Sequence, residues 1–347
     1  MAMIDVTVRG AGVFGLSIAW ACRRRGARVQ VIDPFGPGSG SSGGLVGALA
    51  PHVPENWNAK KAFQFDSLIR AEALWAEIKE SSGLSTGYGR TGRLQPIADQ
   101  AGLALAQQRA ETAKTLWQGK ATWRVIPTAE AGDWAPASPT GYLIHDTLTA
   151  RAHPRRVIAA LVAALATKGV LVQSKAEDAG TVVWATGAAG LRDLSVEIGK
   201  MVGVGVKGQS ALLDFDAGRD APQIFADALH IIPHADGTLA IGSTTERDYE
   251  DPASTDSQLD DIITRATAAM PQLAGARVID RWAGERPRAR SRAPMLGPWP
   301  NRPGQFIANG GFKIGFGMAP EIAEVMADLL LDGTDRIPDD FRVEASL

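Results

Sequence analysis

The feature that most constrains the fold is a glycine-rich turn near the start of the chain. The segment GAGVFG places Gly10, Gly12 and Gly15 at the spacing G-x-G-x-x-G. A short alternating run that predicts a strand precedes it, and a stretch with helical spacing follows it. In a Rossmann-like unit these glycines permit the tight turn, the approach of backbone to a pyrophosphate, and close packing of helix on strand. The pattern therefore predicts a dinucleotide-binding strand–turn–helix.

A second predicted strand, ARVQVID, ends at Asp33. At that position a carboxylate is expected to receive the ribose hydroxyls of an adenine dinucleotide. The alternative is a tight strand–helix turn that binds no ligand. The complete order of strand, motif, helix, strand and acid favours nucleotide binding over that alternative.

The residues after this unit favour FAD over a nicotinamide cofactor. A long Gly/Ser-rich stretch, residues 34–52, replaces the helix that follows promptly in a plain nicotinamide domain. It offers the hydroxyls of Ser41 and Ser42 to phosphate, and its apolar end favours burial over a flexible surface loop. Later, TVVWA predicts a buried parallel strand that ends before Thr186 and Gly187, at the sheet edge where ligands bind. The dinucleotide domain thus resumes after an interruption.

Length and composition limit the remaining possibilities. The chain has 347 residues, 45% of them hydrophobic, which is enough for two domains or for one domain interrupted by another. Its net charge of -2 argues against nucleic acid as a partner, and its one cysteine, Cys22, excludes a disulfide framework. The apolar stretch 157–166 is about half as long as a membrane span, and no signal-peptide pattern is present. We expect a soluble, cytoplasmic protein without a membrane span.

Six sequence blocks occur in the order found in a known family. They are GAGVFGLSIAWACRRRGARVQVID, SSGGLVGALAP, VVWATGAAG, HIIPHADGTLAIGSTTE, WAGERPRARSRAPMLG and NGGFKIGFGMAP. In these blocks the chain resembles the FAD-dependent amine oxidoreductases of the D-amino-acid oxidase superfamily, most of all their glycine oxidase and sarcosine oxidase branch. The resemblance implies an α/β plus antiparallel β fold. A Rossmann-like FAD-binding domain of the GR2 type would be interrupted by a substrate domain with a mixed or antiparallel sheet.

Departures from strand–helix alternation predict the domain boundaries. The discontinuous FAD-binding domain is predicted to comprise residues 1–84, 145–206 and 278–347. The substrate-binding domain is predicted to comprise residues 85–144 and 207–277. Two strand-like runs in the latter segment predict a hairpin, with its turn at Ala-Asp-Gly.

Two histidines lie four residues apart in this predicted hairpin. His230 and His234 share a face if the segment is a strand, but Pro233 excludes helical geometry and no cysteine joins them. We therefore expect no metal site. The resemblance implies a polar aromatic side chain over the substrate at His230, and a structural hydrogen-bonding histidine is the alternative.

Two cations in the C-terminal blocks are the candidate substrate-binding residues. By the resemblance, Arg286 matches an arginine that clamps the substrate carboxylate, and a guanidinium suits this role because its fork pairs two N–H groups with two oxygens. Lys313, in the Gly-rich turn, would bind the carboxylate or favour the anionic reduced flavin. The alternative for Arg286 is a position in a solvated basic loop, and the alternative for Lys313 is a surface lysine. A helix expected from about Ala319, with Pro320 in its first turn, would point its positive end at the flavin.

The predicted cofactor site takes residues from the glycine motif, the Gly/Ser-rich loop, the strand ends and the C-terminal turn. Its members are Gly10, Gly12, Val13, Phe14, Gly15, Asp33, Pro34, Ser41, Ser42, Val46, Gly47, Ala48, Ala176, Thr186, Gly187, Gly311, Phe312, Ile314, Gly315, Phe316 and Gly317. Resembled enzymes with covalent flavin attach it to a cysteine in the C-terminal half, whereas Cys22 lies in the first predicted helix. We therefore expect noncovalent FAD.

The resemblance implies oxidation of the CH–NH bond of a small amino acid or secondary amine. Hydride would pass to flavin N5, the imine would hydrolyse in water, and oxygen or an electron carrier would accept the electrons. The segment GGLVGALAP lacks the arginines of sarcosine-oxidase-like members, so glycine, a small D-amino acid or a secondary amino acid fits better than sarcosine. Three alternatives stay open: a D-amino-acid or opine-type dehydrogenase, an FAD enzyme acting on a tRNA base, and a noncatalytic FAD-binding subunit. The oligomeric state is not predicted.

Overall fold

The computed structural model describes residues 3–347. Its helices are α1 (Val13–Arg24), α2 (Ala59–Ser82), α3 (Gln100–Leu116), α4 (Pro154–Thr167), α5 (Gly187–Ile198), α6 (Ser257–Ala269) and α7 (Gly315–Asp332). Its strands are β1 (Val6–Arg9), β2 (Val29–Ile32), β3 (Ala48–Leu49), β4 (Arg93–Pro96), β5 (Trp123–Pro127), β6 (Tyr142–Asp146), β7 (Ala150–Arg151), β8 (Val172–Gln173), β9 (Thr181–Trp184), β10 (Gly203–Asp214), β11 (Gln223–Ala226), β12 (Leu229–Pro233), β13 (Thr238–Gly242), β14 (Arg277–Ala289), β15 (Met295–Pro298) and β16 (Gln305–Asn309). Within the described part of the chain, no helix has the length and apolar character required to cross a bilayer.

The six-stranded sheet has the order β15–β16–β9–β1–β2–β8. Its strands β1, β2 and β9 pair in parallel, so that Val8 lies opposite both Val31 and Val183. These three valines are fully buried, as expected for parallel strands that helices cover on both faces. Helices α1, α2, α4 and α7 share one apolar core with β1 and β2, whereas α5 packs with β15 and β16 in another cluster.

The eight-stranded sheet has the order β14–β10–β13–β12–β11–β4–β6–β5. Its pairs are antiparallel except for β11 with β4. Helix α6 packs its buried Leu259 and Ile262 against the apolar side chains of this sheet. The predicted fold class, a parallel nucleotide-binding sheet with a second, largely antiparallel sheet, is confirmed.

The predicted domain boundaries can be compared with the membership of the sheets. Every strand of the six-stranded sheet comes from the segments 1–84, 145–206 and 278–347. In the eight-stranded sheet, β10 starts before residue 207 and nearly all of β14 lies beyond residue 277. The long pair β10–β14 thus extends from the predicted substrate-binding segments into the predicted FAD-binding ones. The boundaries themselves stay a prediction.

The hairpin predicted around the Ala-Asp-Gly turn is formed by β12 and β13. The two strands pair antiparallel, with His230 opposite Gly242. At the turn, the N–H of His234 donates to the carbonyl of Thr238 over 2.8 Å, and Gly237 has a φ of +82°. Glycine adopts this left-handed conformation without the steric penalty that a Cβ atom imposes, so the turn is tight.

Helix α7 begins earlier than the sequence predicted. We expected it from about Ala319, but the N–H of Met318 already donates to the carbonyl of Ile314 over 3.0 Å, and the helix begins at Gly315. The prediction was wrong because it gave weight to the low helix propensity of glycine, which tertiary packing overrides. Gly317 packs on α2 and β3, where a Cβ atom would lie 3.3 Å from Leu68 Cδ2 and 3.6 Å from Leu49 Cα.

The earlier start also changes the position of Pro320, which lies inside α7 and not in its first turn. A proline at that position cannot donate a backbone hydrogen bond. The next N–H, of Glu321, donates to the hydroxyl of Ser67 on α2 over 3.1 Å. A side chain of the neighbouring helix therefore provides an acceptor where the helical ladder is interrupted.

Candidate active site

A cavity of about 960 Å³ lies between the two large sheets. Gly10 and Asp33, at the carboxyl ends of β1 and β2, line one part of it, which we call the nucleotide end. His230, Arg286 and Lys313 line the other part, which we call the cation end. Ligands of open parallel sheets bind outside the carboxyl ends of the strands, so the position of the cavity fits a binding site.

Two positions at the nucleotide end require glycine. Gly10 has a φ of +101°, and a Cβ atom there would overlap the carbonyl group of Ala185. A Cβ atom on Gly15 would overlap the carbonyl group of Gly10. These residues let β1 turn sharply into α1 and let the helix pack on the strand end. Gly12 and Val13, at the N-terminus of α1, consequently line the cavity.

Side chains from two later segments hold this turn in place. The carboxylate of Asp33 accepts hydrogen bonds from the N–H groups of Ala11 and Phe35, over 2.8 and 2.9 Å. The buried hydroxyl of Ser42 accepts one from the N–H of Val13 over 3.0 Å. The end of β2 and the Gly/Ser-rich loop are thereby fixed against the N-terminus of α1, where an anion is stabilised by the free N–H groups and the helix dipole.

Arg286 on β14 is buried at the cation end. Its Nη1 donates to the hydroxyl of Ser243 over 2.5 Å, and its Nη2 donates to the carbonyls of Thr244 and Lys207 over 2.6 and 3.2 Å. Its buried Nε has no hydrogen-bond partner among the described residues. A Cβ atom on Gly208 would overlap the guanidinium, so this glycine provides the space for it. Burial lowers the pKa of Arg286 to about 10.

Lys313 reaches the same part of the cavity from the turn before α7. Its Nζ donates to the hydroxyl of Thr245 over 2.9 Å. Desolvation, and then the positive charge of Arg286, lower the pKa of Lys313 to about 8. The ring of Phe312 lies next to both cations, with its centroid 5.4 Å from Arg286 Cζ and 5.8 Å from Lys313 Nζ.

Phe312 has an unusual backbone conformation for a residue with a side chain. Its φ is +41°, in the left-handed region, and its N–H donates to the carbonyl of Pro287 over 2.9 Å. Such a conformation costs roughly 1–3 kcal/mol and persists only where the surroundings impose it. The strained turn connects β16 to α7 and is hydrogen-bonded to β14, and so sets the position of Lys313 relative to Arg286.

His230 lines the cavity beside these cations. Its ring centroid lies 4.7 Å from that of Phe225 on the neighbouring strand, and its buried Nδ1 lacks a hydrogen-bond partner in the described structure. Burial, followed by the positive charges of Arg93 and Lys313, lowers the pKa of His230 to about 3. The imidazole is therefore neutral near pH 7, which leaves it able to donate one hydrogen bond and accept another.

His234 does not join His230 in the cavity. Its Nε2 lies 3.1 Å from the carbonyl oxygen of Leu45, and its ring centroid lies 4.6 Å from that of His153, with the two rings tilted by 35°. Over residues 3–347 the structure contains no group of three or more His, Cys, Asp or Glu side chains suited to a metal ion. The two predicted hairpin histidines thus have separate surroundings. His234 contacts Leu45 and His153 and does not line the cavity.

A buried carboxylate lies behind the cations. Glu246 accepts hydrogen bonds from the hydroxyl of Thr244 and, over 3.1 Å, from Gln209 Nε2. Its other oxygen lies 3.6 Å from the Nζ of Lys207, and both side chains of this ion pair are buried. Buried charges need such partners, because an unpaired one loses its hydration without compensation. The pair anchors the segment 243–246, which follows β13.

This arrangement leaves two positive charges facing the cavity without a counter-ion. Among residues 3–347, no carboxylate lies within ion-pair distance of Arg286 or Lys313; their partners are hydroxyls and carbonyls. Glu246 is already paired with Lys207. The cation end is therefore built to receive an anion.

The family model described as "FAD dependent oxidoreductase" matches residues 5–329 of the chain. The chain belongs to this family. FAD is accordingly the cofactor of this family. The predicted membership in the D-amino-acid oxidase superfamily, on its glycine oxidase branch, is confirmed. The family is thus one of FAD-dependent amino acid oxidoreductases.

Relatives within the family extend over nearly the whole chain. A glycine oxidase of Pseudomonas aeruginosa is 26% identical over 354 residues, which cover 94% of each protein. A glycine oxidase of Geobacillus kaustophilus is 24% identical and covers 94% of this chain and 92% of its own. The bifunctional protein ThiO/ThiG of Trichormus variabilis is 23% identical, and there the match covers 94% of this chain but 53% of the relative.

Solved structures of the family share the fold. The crystal structure of glycine oxidase from Geobacillus kaustophilus has a TM-score of 0.82 at 22% identity and covers 98% of each chain. That of iminodiacetate oxidase from Chelativorans sp. BNC1 has a TM-score of 0.85 at 21% identity and covers 97% of this chain and 98% of its own. At such identities the similarity establishes the architecture.

The structure brings most of the predicted site residues together in the one cavity. Those that line it are Gly10, Gly12, Val13, Phe14, Asp33, Pro34, Ser41, Ser42, Val46, Ala48, Thr186, Gly187, Gly311, Phe312, Gly315, Phe316, His230, Arg286 and Lys313. Those outside its lining are Gly15, Gly47, Ala176, Ile314 and Gly317. Two of the latter serve packing: a Cβ atom on Gly15 would overlap the carbonyl group of Gly10, and one on Gly47 would overlap the carbonyl group of Ala152. Ala176 lies in the connection after β8.

Several cavity residues were absent from the sequence prediction. They include Ser243 and Trp282 on the side of the eight-stranded sheet, and Asn309 at the end of β16. Asn309 Nδ2 donates to the carbonyl of Gly187 over 2.9 Å, and its Oδ1 accepts from the N–H of Gly310 over 2.8 Å, so it joins two cavity loops. All three occur in the sequence blocks that carry the family resemblance, and that was the signal available for them.

Proposed function

We propose that the protein oxidises the CH–NH bond of a small amino acid or secondary amine with noncovalently bound FAD, and that the imine is then hydrolysed. The observation that carries the proposal is the pair Arg286 and Lys313, which face the cavity without a carboxylate partner among the described residues. A guanidinium with an unmet donor is well suited to a substrate carboxylate. The relatives named glycine oxidases support an amino acid of this kind.

We propose that FAD binds at the nucleotide end. There the N-terminus of α1 offers N–H groups to the pyrophosphate, and Asp33 lies at the end of β2 for the ribose. Bound FAD would supply the electron acceptor for a hydride from the substrate carbon. Cys22 is buried in α1 away from the cavity lining, and burial raises the pKa of its thiol to about 12, which supports noncovalent binding.

The residues of the cation end would bind and orient the substrate. Arg286 would pair with the carboxylate, and the neutral imidazole of His230, with its unpartnered Nδ1, would hydrogen-bond the amine. The positive charges of Arg286 and Lys313 disfavour a protonated amine, so they would promote binding with the nitrogen neutral and its lone pair available. Fixing one orientation of the reacting C–H bond is the main contribution of such residues.

We further propose a division of labour between the sheets. The segments 1–84, 145–206 and 278–347 would form the FAD-binding domain, which is supported by the origin of every strand in the six-stranded sheet. The segments 85–144 and 207–277 would supply most of the substrate-binding domain. Oxygen or an electron carrier would accept the electrons at the end of each turnover.

The proposal is tested by the absorbance spectrum of the purified protein before and after anaerobic addition of glycine, sarcosine, D-alanine, proline or iminodiacetate. We expect a flavin band that at least one of these compounds bleaches. Readmitted air, or else an added electron carrier, should restore the band and identify the acceptor. A flavin that no amine reduces would contradict the proposed reaction, and failure to bind FAD even after reconstitution would contradict the proposed cofactor site.

Two arginine variants provide a matched comparison for the cation end. Arg286→Met removes the buried guanidinium, and we expect kcat/KM to fall by about 100-fold, as for lost hydrogen bonds to a charged ligand. Arg290→Met removes an exposed arginine of the same block, which donates to a carbonyl at Leu347 and does not line the cavity. Equal activities of the two variants would show that Arg286 does not bind substrate.

A further inference from the structure

We propose that the substrate carries two carboxylates, one bound by Arg286 and the other by Lys313, as in an amine whose two arms both end in carboxylate. This inference deepens the proposed function and rests on it. Four observations lead to it: the separate partners of the two cations, their common supporting segment, the lack of a carboxylate within ion-pair distance of either cation among the described residues, and the neutral character of the remaining lining.

The two cations share one aromatic neighbour and are held by separate partners. Each lies beside the ring of Phe312, at 5.4 Å from its centroid for Arg286 Cζ and 5.8 Å for Lys313 Nζ. Ser243 holds the guanidinium, whereas Thr245 holds the ammonium. The unpartnered Nε–H and the positive charge of Arg286 serve one carboxylate, so the ammonium is left with its own positive charge and remaining donors for a second anion.

A single segment of chain presents both cations to the cavity. Within residues 243–246, Ser243 and Thr245 contact the cations, and the intervening Thr244 hydrogen-bonds Glu246 on the buried side. Alternate side chains of an extended segment point to opposite faces, which explains this division. The carboxylate of Glu246 is thereby directed to Lys207 and away from the cavity, although it belongs to the segment that holds both cations.

The acidic side chains that line the cavity do not neutralise these charges. Asp33 lies at the nucleotide end, where backbone N–H groups hold it. Glu285 pairs with Arg192 at 2.9 Å and accepts a hydrogen bond from Tyr249. Asp193 is exposed on α5. The lining beside the two cations consists of hydroxyls, aromatic rings and a neutral imidazole. A bound ligand must therefore supply the negative charge that balances Arg286 and Lys313.

The pKa values agree with this charge balance. Burial and the neighbouring Arg286 lower the pKa of Lys313 to about 8, and burial lowers that of Arg286 to about 10. A carboxylate bound beside either cation would raise the pKa of that cation, because the charged form then has an adjacent anion.

The reaction balances for iminodiacetate, the simplest such substrate. Its CH–NH unit loses two electrons and two protons to become C=N, and the electrons pass to the FAD of the proposed function. Water then adds to the C=N carbon, and cleavage of the C–N bond gives glyoxylate and glycine. Aspartate of D configuration is the corresponding primary amine, and it would give oxaloacetate and ammonia.

The test compares matched pairs of substrates on the FAD-loaded enzyme by anaerobic stopped-flow absorbance. The pairs are glycine with iminodiacetate and D-alanine with D-aspartate, each differing by one carboxylate-bearing group. We expect the dicarboxylate member of at least one pair to reduce the flavin with an apparent second-order rate constant at least about tenfold higher. Equal or faster reduction by the monocarboxylate in both pairs would overturn this inference and leave the proposed function intact. Absence of reduction by every amine would overturn the proposed function itself.

The variant Lys313→Met distinguishes a role of this lysine in binding a second carboxylate from a role in adjusting the flavin potential. In Lys313→Met we expect the preference for the dicarboxylate, measured as the ratio of the two rate constants in a pair, to shrink about tenfold or more. A loss of equal size for both members, with a shifted flavin potential, would assign Lys313 to the flavin and overturn the inference. Lys114→Met, in an exposed ion pair on α3, is the control for loss of a positive charge.

Succinate and acetate extend the test to binding alone, since neither can be oxidised by removal of hydride from an amine-bearing carbon. Perturbation of the flavin spectrum gives the Kd of each. We expect succinate to bind wild-type enzyme more tightly than acetate, and Lys313→Met to abolish most of that difference. Equal affinities in the wild type would count against two separate carboxylate positions.

Discussion

The two ends of the cavity are built by different means. At the nucleotide end, residues 10–42 supply glycines, backbone N–H groups and two short polar side chains, all from one stretch of chain. At the cation end, charged side chains come from β14 and from the turn before α7, and their partners come from the segment after β13. The first end depends on backbone shape and the second on the placement of charge, so different substitutions should damage each of them.

The largest expected effect is on the backbone of the nucleotide end. Gly10→Ala should abolish FAD retention, to about a tenth of the wild-type content or less, because the Cβ atom would overlap the carbonyl of Ala185 and the φ of +101° is strained for alanine. The ratio of flavin to protein absorbance measures this. Gly26→Ala is the matched control, since Gly26 has a φ of +93° but open space at the Cβ position. If both variants lose FAD equally, backbone strain and not overlap is the cause.

The next effect concerns the buried ion pair behind the cations. Glu246→Gln should reduce the free energy of unfolding by about 3 kcal/mol, because it leaves Lys207 buried without its main counter-charge. Urea unfolding of the FAD-free protein measures the change. The double variant Lys207→Met, Glu246→Leu should recover most of the stability, but not kcat/KM, since the segment 243–246 would lack its anchor to Glu246. Recovery of full activity in the double variant would show that the pair does not position the cations.

A smaller effect should follow from filling the space beside Arg286. Gly208→Ala places a Cβ atom where the guanidinium lies, so the side chain must move from Ser243 and Thr244. We expect kcat/KM to fall by about 10- to 100-fold, with unchanged FAD content, because one or two hydrogen bonds to a charged group are lost. The variant thus affects the cation end and spares the nucleotide end. Loss of FAD in Gly208→Ala would break that separation.

The smallest expected effect is a dependence of ligand binding on pH. The pKa of Lys313 is lowered to about 8 from its ordinary value of 10.5, so the ammonium is present below pH 8 and is lost as the pH rises through it. The Kd of succinate should therefore increase above pH 8, by roughly tenfold at most for one lost charge–charge contact. Lys313→Arg should remove this limb, because arginine stays protonated. A pH-independent Kd in the wild type would contradict the assignment.

The sequence predicted the nucleotide end well because its residues are neighbours in the chain. Gly10, Gly12 and Asp33 follow a pattern whose physical causes are local: a sharp turn, a helix N-terminus and a strand end. The same local logic failed at α7, where the glycines of NGGFKIGFG were assigned to a loop although the helix already begins at Gly315. Packing against α2 and β3 outweighs glycine's weak propensity there.

For the cation end, the residue types were predictable and their environment was not. Arg286 and Lys313 were identified through sequence blocks, but the sequence contains nothing that pairs Arg286 with Ser243 or directs Glu246 to Lys207. His230 and His234 were predicted to share a face of a strand, with His230 alone as a site candidate. In the structure His230 lines the cavity, whereas His234 contacts Leu45. Such pairings join segments that are distant in the chain, so the local sequence pattern does not predict them.

The chain's own pattern of glycines, apolar strands and one acid was sufficient for an interrupted Rossmann-like unit, because these features act through the backbone over a few residues. The second sheet was implied by the family resemblance. The tertiary structure alone determined that Arg286 and Lys313 line one cavity, while the carboxylate of Glu246 pairs with Lys207 instead. Electrostatic balance depends on distances in space and on burial, and both are established only when β10, β13 and β14 pair and the turn before α7 brings Lys313 to Thr245.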